Sequence, residues 1–102
     1  MDYIFEIIDK TGRVIHLSKE RWNEHIRLEH PDIRDSEEIE QTILNPDKIV
    51  EQDESVYNYY KFFKHKKSKL KYLKVIVNYL NGEGYVITAY FVANIRIRWK
   101  EN

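Results

Sequence analysis

A chain of 102 residues is enough for one domain with a single core and too short for two. Its 42% hydrophobic content, with eight Tyr, four Phe and two Trp, excludes the intrinsically disordered class, and the lack of cysteine excludes disulfides and thiolate chemistry. Lys and Arg balance Asp and Glu at 17 each, so the net charge selects no partner and the distribution of charge carries the information.

That distribution is uneven. Residues 29–54 hold ten acidic side chains against Arg34 and Lys48, whereas residues 61–74 hold seven lysines, His65 and no acid. An acidic side and a basic side of one domain are expected. The N-terminal MDYIFEIIDK lacks a basic leader region and Glu6 interrupts its apolar run. Neither a signal peptide nor a membrane span is therefore expected, and a cytoplasmic protein is the default.

In chain order, Tyr3 to Ile8 is apolar and β-prone, Asp9-Lys10-Thr11-Gly12 has turn chemistry, and Arg13 to Leu17 alternates charged and apolar residues. These features predict a β-hairpin. Ser18 is a good N-cap, with Leu17 and Trp22 placed as a hydrophobic staple. Trp22, His25 and Ile26 fall near one helix face, while Arg21, Glu24 and Arg27 look outward. Pro31 disfavours helical geometry at His30 and should end the helix there. Asp35 with Glu38 forms an Asp-type capping box for a second helix of roughly ten residues, with Ile39 and Ile43 inward and Asn45-Pro46 as the stop.

Four strand-like segments follow: Lys48 to Glu51, Val56 to Phe63, Leu70 to Tyr79, and Tyr85 to Ala93. Their short loops predict an antiparallel meander. The fold class is therefore α+β: an N-terminal β-hairpin, two helices, then a four-stranded antiparallel sheet. The period of two puts Leu73, Val75 and Val77 on one face and Ile87, Ala89 and Phe91 on one face, with Lys74, Thr88 and Tyr90 projecting opposite. Asn94 to Lys100, alternating Ile95, Ile97 and Trp99 with basic residues, predicts a half-buried extension.

His25 and His30 invite a metal reading, since each follows a Glu as in a zincin. Zincin histidines lie four apart, whereas a spacing of five turns the second away by about 140°. No metal and no other cofactor is expected. As structural residues, His25 would be a core-edge side chain beside Trp22, and His30 a helix C-terminal residue favoured by the macrodipole.

The run from Lys61 to Lys71 interleaves lysines with Phe62 and Phe63, the ingredients of single-stranded RNA binding. Arg27, Tyr59, Lys64, Lys66, Lys67 and Lys69 are the candidate nucleic-acid contacts. The structural alternative is a solvated hairpin tip whose lysines protect strand edges. Metal-independent RNA cleavage needs an acid or base titrating near neutrality, a fixed cation and a hydroxyl, and His, Lys or Arg, and Thr or Tyr supply these types.

The order of features, from Trp22-Asn23-Glu24-His25-Ile26-Arg27-Leu28-Glu29-His30-Pro31 through Asn45-Pro46-Asp47 and the Tyr-rich Tyr57 to Lys61 to Gly84-Tyr85-Val86-Ile87-Thr88-Ala89-Tyr90-Phe91, resembles the phage-barnase-EndoU-colicin-RelE-like (BECR-type) nuclease families. The resemblance covers nearly the whole chain after Leu17; the N-terminal hairpin has no assigned counterpart. It implies a ribonuclease site on the sheet beside the first helix, with His25 as acid or base and His30 as the alternative, Lys61 (or Lys74) stabilising the phosphate, Thr88 in the last strand, and Tyr90 as neighbour. It further implies RNA as substrate and an antitoxin or inhibitor protein as partner, in a toxin, phage or mobile-element setting. The protein itself would be a monomer or small homo-oligomer. The expectation from a different class is a non-catalytic module that docks RNA or a protein.

Overall fold

The computed structural model describes residues 2–64, 66 and 68–95. Strands β1 (Tyr3–Ile8) and β2 (Val14–Ser18) are followed by helix α1 (residues 19–29), helix α2 (Ser36–Leu44), and strands β3 (Lys48–Asp53), β4 (Val56–Phe62), β5 (Tyr72–Leu80) and β6 (Glu83–Val92).

The α+β class holds, but the expected four-stranded antiparallel sheet does not form. All six strands make one mixed sheet in the order β1-β2-β6-β5-β4-β3. The hairpin joins the meander through a parallel pairing of β2 with β6, where Ile15 lies opposite Gly84 and His16 opposite Tyr85. The alternation in β2 reads as an exposed edge because His16 occupies a polar position. In the fold His16 is 5% exposed, with Ile15 and Leu17 fully buried, so β2 is an interior strand.

His16 is accommodated at this seam by its neighbours. Its ring lies 4.6 Å from Tyr3 and 4.9 Å from Tyr85, centroid to centroid. Nε2 is 2.6 Å from Glu83 Oε1, and Nδ1 is 2.9 Å from Glu6 Oε2 without the alignment of a hydrogen bond. Gly84 is required at the same seam: a Cβ there would come within 2.9 Å of Tyr79 and Val77 and 3.0 Å of Ile15.

The helices follow their sequence signals. Ser18 accepts a hydrogen bond from the Arg21 N–H, and Leu17 and Trp22 are both buried as the staple requires. The middle of α1 widens to a π turn over Trp22–Ile26, closed by the Arg27 N–H donating to the Trp22 carbonyl. Asp35 caps α2 by accepting from the Glu37 N–H, and Ile39, Thr42 and Ile43 face inward. Both helices lie on one face of the sheet, over a core that includes Ile15, Ile26, Ile43, Leu73, Val75 and Ala89.

One face assignment differs from the simple period of two. A β-bulge between Ile76 and Val77 pairs Val77 with Val86 and Ile76 with Thr88. Val86 therefore turns into the core and Ile87 does not. The β5-β6 connection is a two-residue turn with positive φ at Asn81 and Gly82, the type I′ geometry favoured by Asn-Gly.

At one end of the core, Asp9 collects the hairpin turn. Its carboxylate accepts from the Thr11 N–H and hydroxyl, the Arg13 N–H and, at 2.6 Å, the Tyr59 hydroxyl from β4. Tyr79 donates to Tyr59 in turn, and the Arg13 guanidinium lies 4.3 Å from the Tyr79 ring centroid. Burial pushes the Asp9 carboxyl up, but its hydrogen bonds outweigh that and hold it below its ordinary value. Burial first, then the bond to Asp9, pushes the Tyr59 hydroxyl far up, so it stays a donor.

Because folding lowers the Asp9 pKa, its ionised form favours the fold. That stability is fully present above the unfolded value of about 4 and is lost as pH falls through the lower folded value. In urea titrations, Asp9→Asn should cost about 2 kcal/mol at pH 7, and the gap to the wild type should close below about pH 4. A gap unchanged down to pH 2 would show that the charge contributes nothing. Gly84→Ala should cost about 1–3 kcal/mol by overpacking the β2-β6 seam, read from the same titrations.

Candidate functional site

The face of the sheet opposite the helices carries the side chains that the strand period sets apart from the core. Register places Tyr60, Lys74 and Tyr90 side by side across β4, β5 and β6, with Asn58, Ile76 and Thr88 two positions along. Two adjoining shallow depressions open here, of about 380 and 300 Å³, and Tyr60, Lys74 and Tyr90 line both. The Lys74 ammonium lies 5.4 Å from the Tyr90 ring centroid and 6.0 Å from that of Tyr60. Among the described residues no carboxylate pairs with it. Tyr60 is 1% exposed although no helix covers this face.

His30 reaches the same face from α1. It ends the helix in a non-helical conformation, its N–H donating to the Ile26 carbonyl, and Pro31 follows. Its ring stacks on Tyr90 with centroids 5.4 Å apart and planes inclined by 28°. An imidazole, an ammonium and a phenol thus form a continuous row, His30, Tyr90, Lys74, with Thr88 on the same face. Such a row can hold a phosphate beside a proton acceptor.

The other candidates lie elsewhere or serve the fold. His25 is half-buried on the π turn and makes no hydrogen bond or ring contact among the described residues. The Lys61 ammonium donates to the Asn45 carbonyl, at 3.3 Å, at the C-terminal end of α2. Tyr59 is a core residue bonded to Asp9, which removes it as a stacking surface. Lys66 is tied down by Glu38 at 3.0 Å, the Asp32 carbonyl at 3.1 Å and the Phe91 ring at 4.6 Å. Glu38, the expected capping-box partner of Asp35, has its carboxylate paired with Lys66. Arg27 is exposed and donates to Asn23, and Lys64 and Lys69 are exposed. Lys67, His65 and the stretch 96–100 lie outside the described residues.

Sequence reasoning missed Asn58 and Tyr60 as members of this face. The signal was present: residues 58 and 60 alternate with Tyr57 and Tyr59, so once Tyr59 is assigned to the core, Tyr60 must face Lys74. Among the described residues no group of three or more His, Asp or Glu side chains is placed to hold a metal ion, and no helix is long and apolar enough to cross a membrane. Comparisons with protein-family models, curated proteins and solved structures found no match for the chain.

Replacing Lys61 by Met should lower stability by about 0.5–1 kcal/mol through the lost helix C-terminal contact. Any affinity of the sheet face for an anionic ligand such as RNA should stay within twofold of the wild type, whereas Lys74→Met should weaken it. Thermal unfolding and RNA titration of the pair separate the two roles.

Proposed function

We propose that this protein is a ribonuclease whose site is the open sheet face beside α1, with His30 and Lys74 as its central residues. The observation that carries the reading is the row His30, Tyr90, Lys74, in which the first helix delivers a histidine to a tyrosine that also contacts a lysine without an acidic partner. The resemblance to BECR-type nucleases left His25 or His30 and Lys61 or Lys74 open. Contacts favour the second of each pair, because Lys61 is engaged at α2, and among the described residues His30 meets Tyr90 while His25 has no side-chain partner.

In this reading neutral His30 takes the proton of a ribose 2′-hydroxyl, and the 2′ oxygen attacks the adjacent phosphorus. The bond from phosphorus to the 5′ oxygen breaks, leaving a 2′,3′-cyclic phosphate and a 5′-hydroxyl that gains its proton from solvent. Lys74 stabilises the charge gathered on the phosphate, and the Thr88 and Tyr90 hydroxyls orient it. No step calls for a metal ion. RNA is the substrate, the cytoplasm is the expected site of action, and an antitoxin or inhibitor protein would restrain the activity in a toxin or mobile-element setting.

The test is incubation of the purified chain with varied RNAs in EDTA, with end-group analysis of the products. Cyclic phosphate ends are expected. His30→Gln and Lys74→Met should each lower the rate by about 100-fold or more, and His25→Gln should leave it within about threefold. Undiminished cleavage by His30→Gln, or no cleavage by the wild type, sinks the reading.

A further inference from the structure

Asn58 lies midway along β4, the strand next to the β3 edge of the sheet, opposite Val50 on β3 and Ile76 on β5, and is 5% exposed. Its neighbours across the strands are aliphatic and offer it nothing. Its carboxamide oxygen Oδ1 is buried and has no hydrogen-bond partner among the described residues. The same side chain lines the depression of about 300 Å³ together with Gln52, Tyr60, Lys74 and Tyr90. A buried amide oxygen left without a donor is costly, and an aliphatic residue between Val50 and Ile76 would avoid the cost. Asn at this position is explained if a ligand supplies the missing donor.

The surroundings define that ligand. A carboxamide presents one acceptor beside one donor, the complement of a nucleobase edge that carries an N–H next to an acceptor, as in amide recognition of adenine. Tyr90, half-buried, and Tyr60, buried, both line the depression and give it aromatic walls against which a base can pack. Lys74 stands between the two rings, where it can hold the phosphate attached to that base. We infer that Asn58 reads the hydrogen-bonding edge of an unpaired nucleobase seated in the depression beside Lys74, giving the site a base preference. The inference deepens the ribonuclease reading and rests on the binding of RNA to this face.

The test uses end-labelled rA5, rC5 and rU5 and fluorescence anisotropy, with the full chain in EDTA and in a His30→Gln background so that no strand is cut. The pentamers should differ in Kd by roughly fivefold or more. Asn58→Leu should bring them within about twofold of one another, with a melting temperature equal to or above that of the parent. Asn58→Asp, which keeps the size and removes the donor, should change the preference as well. Lys74→Met should weaken all three pentamers alike. A preference that survives both Asn58 substitutions, equal binding of all three pentamers by the parent, or no binding at all overturns the inference. Base preference lost at Asn58 in a chain that never cleaves RNA would leave this inference standing and remove the nuclease reading. Cleavage that depends on His30 but is indifferent to Asn58 would do the reverse.

Discussion

The parallel seam between β2 and β6 governs the placement of everything above it. Only two residue pairs make up this pairing, and packing at both of them holds it: Gly84 lets Tyr79, Val77 and Ile15 close over the backbone, and His16 fills the other side between two aromatic rings and two carboxylates. The strand ends at Ser18, the residue that caps α1, so the seam also fixes where the helix starts. Further along, β6 has β5 as its strand partner and α1 packed against it. Pro31 then stops the helix at the point where the His30 ring meets Tyr90. The N-terminal hairpin is thus the element that sets where the first helix begins.

The lysine run from 61 to 74 does not act as one basic surface. Lys61 serves the end of α2, Lys66 bridges Glu38 and the Asp32 carbonyl, and the Lys71 ammonium donates to the Lys66 carbonyl. The Lys66 contacts tie the loop between β4 and β5 back to the helical layer, and the Lys71 bond closes that loop on itself. Lys64 and Lys69 are exposed, where salt screens their charge beyond about 8–10 Å. Lys74 differs from them in lying half-buried between two aromatic rings, where the surrounding dielectric is lower and its field on a nearby anion is stronger. For the field at this face of the sheet, placement of this single lysine outweighs the count of lysines around it.

Local chemistry in the sequence was legible and long-range pairing was not. Ser18, Asp35, Pro31 and Asn81-Gly82 each act through atoms within a few residues, and each appears in the structure in the role its type suggests. The strand period correctly joined Lys74, Thr88 and Tyr90 on one face because alternation depends only on the pleat. It failed at Val86 and Ile87, where one extra residue in β6 shifts the phase, and composition does not mark a bulge. The six-stranded sheet escaped notice because the β2-β6 pairing joins residues about seventy positions apart, and because a buried histidine in β2 imitates the polar side of an edge strand. Within the candidate site the residue types were legible but the choice between His25 and His30, or Lys61 and Lys74, turned on contacts made across the fold.

Satisfaction of buried polar groups separates the parts of this molecule that serve folding from the part that faces outward. Four buried polar or charged residues are described: Asp9, His16, Thr42 and Asn58. Asp9 accepts hydrogen bonds from four donors, Thr42 donates to the Glu38 carbonyl, and His16 has a carboxylate at each ring nitrogen. Asp9 and His16 tie separate segments together, whereas Thr42 bonds within its own helix, and each of the three has a protein group of suitable chemistry beside its polar atoms. Asn58 Oδ1 departs from the pattern, and it does so on the uncovered face, two residues from Tyr60 and in the depression that Lys74 and Tyr90 share. Among the described residues, this unsatisfied amide oxygen therefore sits beside a lysine with no paired carboxylate. Both deficits would be met at once by a ligand carrying an N–H donor and a negative charge a few ångströms apart, which is the chemistry of the nucleotide proposed for this face.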